Sequence, residues 1–306
     1  MTKIVFMGTP DFAVPSLQAL HAAFGVAAVV TVPDKPQGRG LKVVPSAVKQ
    51  AAIDLGITNI QQPAKLRDPD FIHWLTDLRP DIICVIAFRI LPRDVYQAAR
   101  LGSFNVHASL LPKFRGAAPI NHAIINGETV TGVTSFLLND VVDTGTILRQ
   151  ITFDIPDGMT AGELYDALKP LAAECAVATC RDLTDGTAVP QPQDDALACP
   201  APTVFRETSV IDWDRMAHDV RNFIHGHSPV PGAWTIWNGE PLKIFRVRLA
   251  PYTCERGMFR IVDGSFVVGC ADGALEIEEL QLPGKRRMLV SDVVRGYRGP
   301  QEGSFS

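Results

Sequence analysis

The chain has 306 residues, 46% hydrophobic and 20% charged, with 24 Gly and 23 Pro; this excludes a disordered, collagen-like or coiled-coil protein and suffices for about two domains at roughly 150 residues each. Lys and Arg number 29 against 33 Asp and Glu, a formal charge of −4, so no global basic field draws in a polyanion and any such partner must be held by local patches. No stretch reaches the roughly 18 uncharged apolar residues of a membrane span, and the N-terminus lacks a signal-peptide core, so the expected compartment is the cytoplasm.

In chain order, Lys3–Met7 reads as a buried strand, followed by a turn and a helix from about Ala13 to Ala23. Val26–Val32 and Asp81–Ile86 are further strands, too continuously apolar to be half-exposed. Helical patterns intervene near Ser46–Leu55, Pro69–Leu78 and Pro92–Ala99. This alternation predicts a Rossmann-like, mostly parallel α/β sheet covered on both faces. After Gly102–Val106 a long loop runs to Pro119, then a helix to Asn126 and two strands, Thr131–Leu138 and Ile147–Phe153. Thr160-Ala161-Gly162-Glu163 is a capping box that opens a long helix ending near Leu183. Its apolar stripe is expected at Leu164, Leu168, Leu171, Cys175 and Ala178.

The composition then changes. Val189-Pro190-Gln191-Pro192-Gln193-Asp194-Asp195 opens a stretch with linker composition. One amphipathic helix (Trp213–Ile224) leads into short alternating runs separated by Asn238-Gly239, Asp263-Gly264 and Asp272-Gly273, the pattern of a small antiparallel barrel or sandwich. The expected domains are therefore 1–188, a linker over 189–206, and a β-barrel, OB-like, over 207–306. Residues 206–306 hold 13 Lys and Arg against 13 Asp and Glu, so the negative charge belongs to the first part. The six cysteines (Cys84, Cys175, Cys180, Cys199, Cys254, Cys270) form no CxxC pair and read as reduced, mostly buried thiols.

Chemistry concentrates at Asn105-Val106-His107-Ala108-Ser109, where a buried strand ends. Strand alternation puts Asn105, His107 and Ser109 on one side, and open parallel sheets bind ligands at the carboxyl ends of their strands. An Asn donor beside a His could hold a developing oxyanion and move a proton. Asp143-Thr144-Gly145 could orient that His, or could be an ordinary turn. One such triplet in a parallel α/β setting does not make an aspartic protease, which needs two carboxylates sharing a proton. There is no GxGxxG or GxxxxGK[ST] phosphate cradle, and the histidine spacing indicates no metal. The Gly- and Pro-rich segment Asp34–Lys42, bearing Lys35, Arg39 and Lys42, and a second basic cluster, Lys285-Arg286-Arg287, suit one extended polyanion. Each could equally be a solvated surface.

Phe104-Asn105-Val106-His107-Ala108-Ser109-Leu110-Leu111-Pro112, followed by Arg115-Gly116-Ala117-Ala118-Pro119-Ile120 and Asp143-Thr144-Gly145, resembles the 10-formyltetrahydrofolate-dependent formyltransferases. Gly8-Thr9-Pro10-Asp11-Phe12-Ala13 and Pro33-Asp34-Lys35-Pro36, with Gly38-Arg39-Gly40, Pro45-Ser46 and Val48-Lys49, narrow the resemblance to members acting on initiator Met-tRNA. It runs from about Lys3 to Arg298. It implies a formyl-transfer domain and a tRNA-gripping barrel, with 10-formyltetrahydrofolate as donor co-substrate and neither metal nor membrane. By the same resemblance Asn105, His107 and Asp143 are the catalytic trio, and Ser109, Leu110, Leu111 and Pro112 the folate-binding stretch. Lys35, Arg39, Lys42 and Lys49, with Lys285, Arg286 and Arg287, are the tRNA contacts, and a monomer is expected.

The sequence departs from the family pattern at three places. Ala87-Phe88-Arg89 stands where an aromatic and then glycine is frequent. Asn139 replaces a frequent Asp, leaving Asp143 as the one carboxylate for the catalytic role. Pro229-Val230-Pro231 lacks an aromatic between its prolines. Two rivals remain at this level: a formyltransferase for an amino-sugar nucleotide, and a tRNA-binding module without activity.

Overall fold

The structure, a computed structural model, describes residues 2–37 and 42–305. They form two compact units: residues 1–116, 131–153 and 165–200, and residues 117–130, 154–164 and 201–306. The chain thus passes between the units several times. The segment expected as a linker contributes residues 189–200 to the first.

In the first unit, β1 (Ile4–Gly8), β2 (Val26–Val30), β5 (Ile60–Gln61), β6 (Ile82–Ile86), β7 (Gly102–His107), β8 (Val130–Leu137) and β9 (Ile147–Asp154) form one sheet ordered β5-β2-β1-β6-β7-β8-β9. β5 through β7 are parallel, and β8 joins β7 antiparallel with His107 opposite Thr134. All residues of β1 and β6 are buried, as their apolar composition demands of strands covered on both faces. One face packs Val5, Met7, Val30, Ile83 and Val85 against Phe71, Leu75, Val95 and Tyr96.

Between these strands lie α1 (Val14–Phe24), α2 (Ala47–Asp54), α3 (Pro69–Leu78) and α4 (Arg93–Tyr96). Ser46 caps α2 by accepting from Lys49 N, and Asp68 caps α3 by accepting from Asp70 N, with Pro69 at its first turn. Lys35–Gln37 (β3) and Lys42–Val44 (β4) pair antiparallel. The basic segment read as a loop therefore has strand arms. Arg39, at its tip in sequence, lies outside the described residues.

α5 (Pro119–Ile125) belongs to the second unit, and the long α6 (Ala161–Asp185) lies in the first from Tyr165 onward. In α6 the buried stripe runs through Leu164, Leu168, Ala172, Cys175, Ala176 and Cys180. Leu171 and Ala178 are only half-buried, a small rotation from the expected face.

In the second unit, α7 (Ala217–Gly226) precedes β10 (Ala233–Trp237), β11 (Glu240–Leu249), β12 (Met258–Val262), β13 (Ser265–Gly269), β14 (Ala274–Gln281), β15 (Met288–Leu289), α8 (Val290–Gly296) and β16 (Glu302–Ser304). The antiparallel sheet is ordered β10-β11-β14-β13-β12-β16, with β15 on β14, a curled half-barrel consistent with an OB-like fold. Two hairpins close through two-residue turns: Asn238-Gly239 (φ 52° and 79°) and Asp263-Gly264 (φ 50° and 84°). Positive φ at both positions is what a tight hairpin matched to strand twist requires, and what Asn-Gly and Asp-Gly supply. The core is aromatic: Trp237 lies 5.3 Å from Phe266 and Phe259 lies 5.4 Å from Phe305, ring centre to ring centre.

Candidate active site

Asn105 and His107 occupy alternate positions of β7 at its carboxyl end, side by side on one face. His107 is 6% exposed and Asp143 9%. Their facing atoms, Nδ1 and Oδ2, are 3.9 Å apart. His107 Nε2 contacts the main-chain oxygen of Phe114 at 2.8 Å. A carbonyl only accepts, so Nε2 carries the hydrogen there and Nδ1 is the nitrogen turned to Asp143. Asp143 Oδ2 accepts from Gly116 N at 2.9 Å. The segment 114–116 thus grips both side chains. Asn105 is half-buried, and its Oδ1 makes no hydrogen bond to another protein group.

Two residues here adopt left-handed backbone: Phe114 (φ 61°) and Asp143 (φ 57°). For Asp that region is tolerated, but for a bulky Phe it is an outlier of the kind that collects at functional sites. Gly145 follows for a steric reason, since a Cβ there would stand 1.6 Å from Leu137 O.

The stretch expected to bind folate is only partly open. Ser109 is fully buried, its Oγ donating to Lys113 O at 2.7 Å, while its own carbonyl accepts from Thr134 Oγ1 at 2.7 Å. Leu111 is buried; its N donates to Thr134 Oγ1 and its O accepts from Gln150 Nε2. Leu110 and Pro112 are half-buried and are the members of the stretch with side-chain surface to offer. At the neighbouring strand end, Arg89 donates to the carbonyls of Pro63 and Ala64 at 2.9 and 3.0 Å, 5.1 Å from the Phe88 ring centre.

Residues 190–199 also line this region. Gln191 exchanges two main-chain hydrogen bonds with Ile147. Gln193 Nε2 donates to the carbonyls of Asp143 (2.9 Å) and Gly145 (2.8 Å), and its Oε1 accepts from Arg115 Nε (3.1 Å) and Nη2 (2.8 Å). Arg115 N donates to Cys199 O, and Phe114 N to Cys199 Sγ. Sequence reasoning did not find Gln193, Phe114 or Gly116. Two of them act through main-chain atoms, which carry no residue signature, and Gln193 sits in a Pro- and Gln-rich run with the composition of a spacer.

The cationic residues are placed unequally. Lys35 is exposed. The Lys49 ammonium contacts Asp34 Oδ2 at 2.5 Å and Gln62 Oε1 at 2.7 Å; the bond from Lys49, with one that Gln62 Nε2 donates to Asp34 Oδ1, holds the Asp34 carboxyl below its ordinary range. Lys42 is a strand residue paired with Gln37. In the second unit Lys285 and Arg286 are exposed, whereas Arg287 is paired with Glu279 and lies 4.7 Å from the Phe245 ring centre. Among the described residues no group of three or more His, Cys, Asp or Glu could hold a metal ion. None of the helices among the described residues is long and apolar enough to cross a membrane.

A family model described as formyl transferase matches residues 2–179, and one described as formyl transferase, C-terminal domain, matches residues 204–298. The methionyl-tRNA formyltransferase of Chlorobium luteolum is 46% identical over 305 residues, covering 97% of each chain. Among solved structures, an N-formyltransferase from Helicobacter canadensis in complex with folinic acid and dTDP-3-aminofucose superposes with a TM-score of 0.70 at 20% identity, over 94% of this chain and 100% of that one. HypX from Aquifex aeolicus in complex with tetrahydrofolic acid gives 0.63 at 17% identity, over 95% of this chain. This chain spans about half of that protein, 46% of its length. At such identities the likeness is one of fold.

Proposed function

The chain belongs to the formyl transferase family, and on that premise we propose that it transfers the formyl group of 10-formyltetrahydrofolate to the α-amine of methionine esterified to initiator tRNA. The observation that carries the reading is the cluster at the carboxyl end of β7: the buried His107 and Asp143 facing each other at 3.9 Å, with the half-buried Asn105 two residues before His107 on the same strand face. Near-full-length identity to a methionyl-tRNA formyltransferase supports the acceptor. Fold neighbours holding folinic or tetrahydrofolic acid support the donor class.

The donor brings a formyl carbon bound to a nitrogen that can leave. An α-amine titrates at about 7.7–8.0, or lower beside an ester, so a neutral nucleophile exists near neutrality without strong activation. The barrier lies in the charge that builds on the formyl oxygen and in releasing the folate nitrogen. Asn105 Nδ2 donates a hydrogen bond to that oxygen as its charge grows; His107 adds a second from Nδ1 as the doubly protonated ring, because its Nε2 hydrogen is engaged by Phe114 O. Asp143 takes up the proton that the amine sheds as the new carbon–nitrogen bond forms. The proton then goes to the folate nitrogen as the old bond breaks, so no covalent enzyme adduct is needed. Leu110 and Pro112 offer apolar surface to the pterin. Lys35, Arg39 and Lys42, and Lys285, Arg286 and Arg287 further along the chain, supply the cations for tRNA phosphates; Lys49, bonded to Asp34 and Gln62, supports the first group instead of contacting a phosphate.

The test is formyl transfer from 10-formyltetrahydrofolate to charged initiator tRNA, with elongator Met-tRNA and a dTDP-linked amino sugar as alternative acceptors. Selective formylation of the initiator is the expected result. Transfer to the sugar and not to the tRNA would overturn the reading.

A further inference from the structure

We propose that Gln193 is a positioning residue for the formyl-transfer reaction, one that sets the Asp143 carboxylate against His107. The inference rests on the reading that His107 and Asp143 perform the chemistry. Its evidence is a carboxamide with every hydrogen-bonding position filled. Both Nε2 hydrogens go to the turn that carries Asp143, on the carbonyls of Asp143 and Gly145 at 2.9 and 2.8 Å. Both Oε1 lone pairs receive Arg115, from Nε and Nη2 at 3.1 and 2.8 Å. An amide has two donors and two acceptor sites, so Gln193 is saturated by two segments that are 28 residues apart in the chain.

Those two segments are the ones whose relation matters. Arg115 sits between Phe114, whose carbonyl holds His107 Nε2, and Gly116, whose N–H holds Asp143 Oδ2. Asp143 itself has a left-handed backbone, φ 57°, which surrounding contacts must enforce. The Asp143 carbonyl is the group next to that backbone torsion, and Gln193 is its donor. Gly145 cannot give way in compensation, being packed against Leu137 O. Arg115 is fixed from outside by Asp195, Nη2 to Oδ1 at 2.7 Å, so the Gln193 Oε1 end has a fixed partner. Main chain holds Gln193 in turn, because Gln191 is bonded on both sides to Ile147 at the start of β9. The amide therefore works as a spacer of set length between the turn and the 114–116 segment.

Loss of that spacer leaves Asp143 and His107 present but misplaced, and a displacement of about an ångström at a reacting group can cost on the order of 100-fold in rate. Gln193→Ala removes the whole tie. Gln193→Glu keeps an acceptor for Arg115 but turns carboxylate oxygens toward the Asp143 and Gly145 carbonyls. Both variants are expected to lose roughly 10- to 100-fold in kcat, with KM for tRNA and folate within about twofold. In an Asp143→Asn background the further loss from Gln193→Ala shrinks to less than about threefold, since two residues acting through one group do not add. Three results would each overturn the proposal: wild-type kcat in Gln193→Ala, wild-type kcat in Gln193→Glu alone, or full additivity with Asp143→Asn. The wild-type assay on charged initiator tRNA tests the underlying reading separately. Should that assay fail, the ring 15N resonances of His107 still decide the inference: they move in Gln193→Ala if the spacer sets this geometry, and stay in place if it does not.

Discussion

His107 Nδ1 and Asp143 Oδ2 stand 3.9 Å apart, farther than a hydrogen bond, and main-chain atoms of residues 114 and 116 hold the two side chains at that separation. The pair is thus framed by backbone and does not depend on its own attraction for its position. An acid–base pair held apart in this way keeps capacity to exchange a proton with a third party.

His107→Ala should lower kcat by about 10²–10⁴-fold, the usual worth of a positioned acid–base group, with a smaller change in KM. Steady-state kinetics with circular dichroism to confirm folding would check it. A folded variant with wild-type kcat would remove His107 from the chemistry.

Asp143→Asn keeps the acceptor for Gly116 N but discards the negative charge. If that charge takes up the amine proton, its loss should lower kcat by about 10²–10⁴-fold with a smaller change in KM. Steady-state kinetics of both proteins would check it. A wild-type kcat would leave Asp143 with the closing of a turn as its only task.

Arg39 and Lys49 should separate. Arg39→Ala is expected to raise KM for Met-tRNA and to make the slope of log affinity against log salt shallower by about 0.7–0.9, the signature of one neutralised phosphate. Lys49 spends its ammonium on Asp34 and Gln62 at the foot of the β3–β4 ribbon. Lys49→Met should therefore lower Tm and leave the salt slope nearly intact. Equal slopes for wild type and Arg39→Ala would detach this ribbon from the tRNA.

His225 makes the second unit acid-sensitive. It is 2% exposed, and burial, reinforced by the Arg246 and Arg221 guanidiniums, pushes its pKa down from 6.5 to about 4, while its Nε2 accepts from Val247 N at 3.2 Å. Folded protein keeps the ring neutral where unfolded chain protonates it, so stability falls as pH drops from 6.5 and the loss is complete near 4. That loss is about 3 kcal/mol at 1.36 kcal/mol per unit. Urea unfolding at pH 7 and at pH 4.5 would measure it, with His225→Gln as the variant whose pH dependence should flatten. Parallel curves for the two proteins would place the acid sensitivity elsewhere.

The strands that matter were readable because their physics is local. Ile4–Gly8 and Ile82–Ile86 are apolar throughout and buried throughout, and Asn105 and His107 share a face because strand alternation puts them there. Asn238-Gly239 and Asp263-Gly264 became the hairpin turns their dihedral freedom suggests. The Asp34–Lys42 segment reads as pure loop because Pro36, Gly38 and Gly40 hide two short strand arms. Residues 190–199 have the composition of a spacer, yet Gln191, Gln193 and Cys199 find partners 44 to 85 residues away. Composition describes what a segment can do alone, and such partners are a property of the folded chain.

The stretch 190–199 also bears on how the protein can be made. A chain cut after Ala188 would contain Asn105, His107 and Asp143, and the whole of the segment matched by the first family model, but would lack the amide on the Asp143 turn and the Cys199 contacts to residues 114 and 115. During synthesis the trio is complete in sequence at residue 143 and its surroundings only some fifty residues later. Because residues 117–130 and 154–164 belong to the second unit, no single scissile point yields either unit whole. Exchange of whole units between relatives must therefore carry five crossovers, and a minimal fragment of the first unit must be engineered by inserting replacement loops at 117–130 and 154–164, with the C-terminus kept at or beyond Pro200.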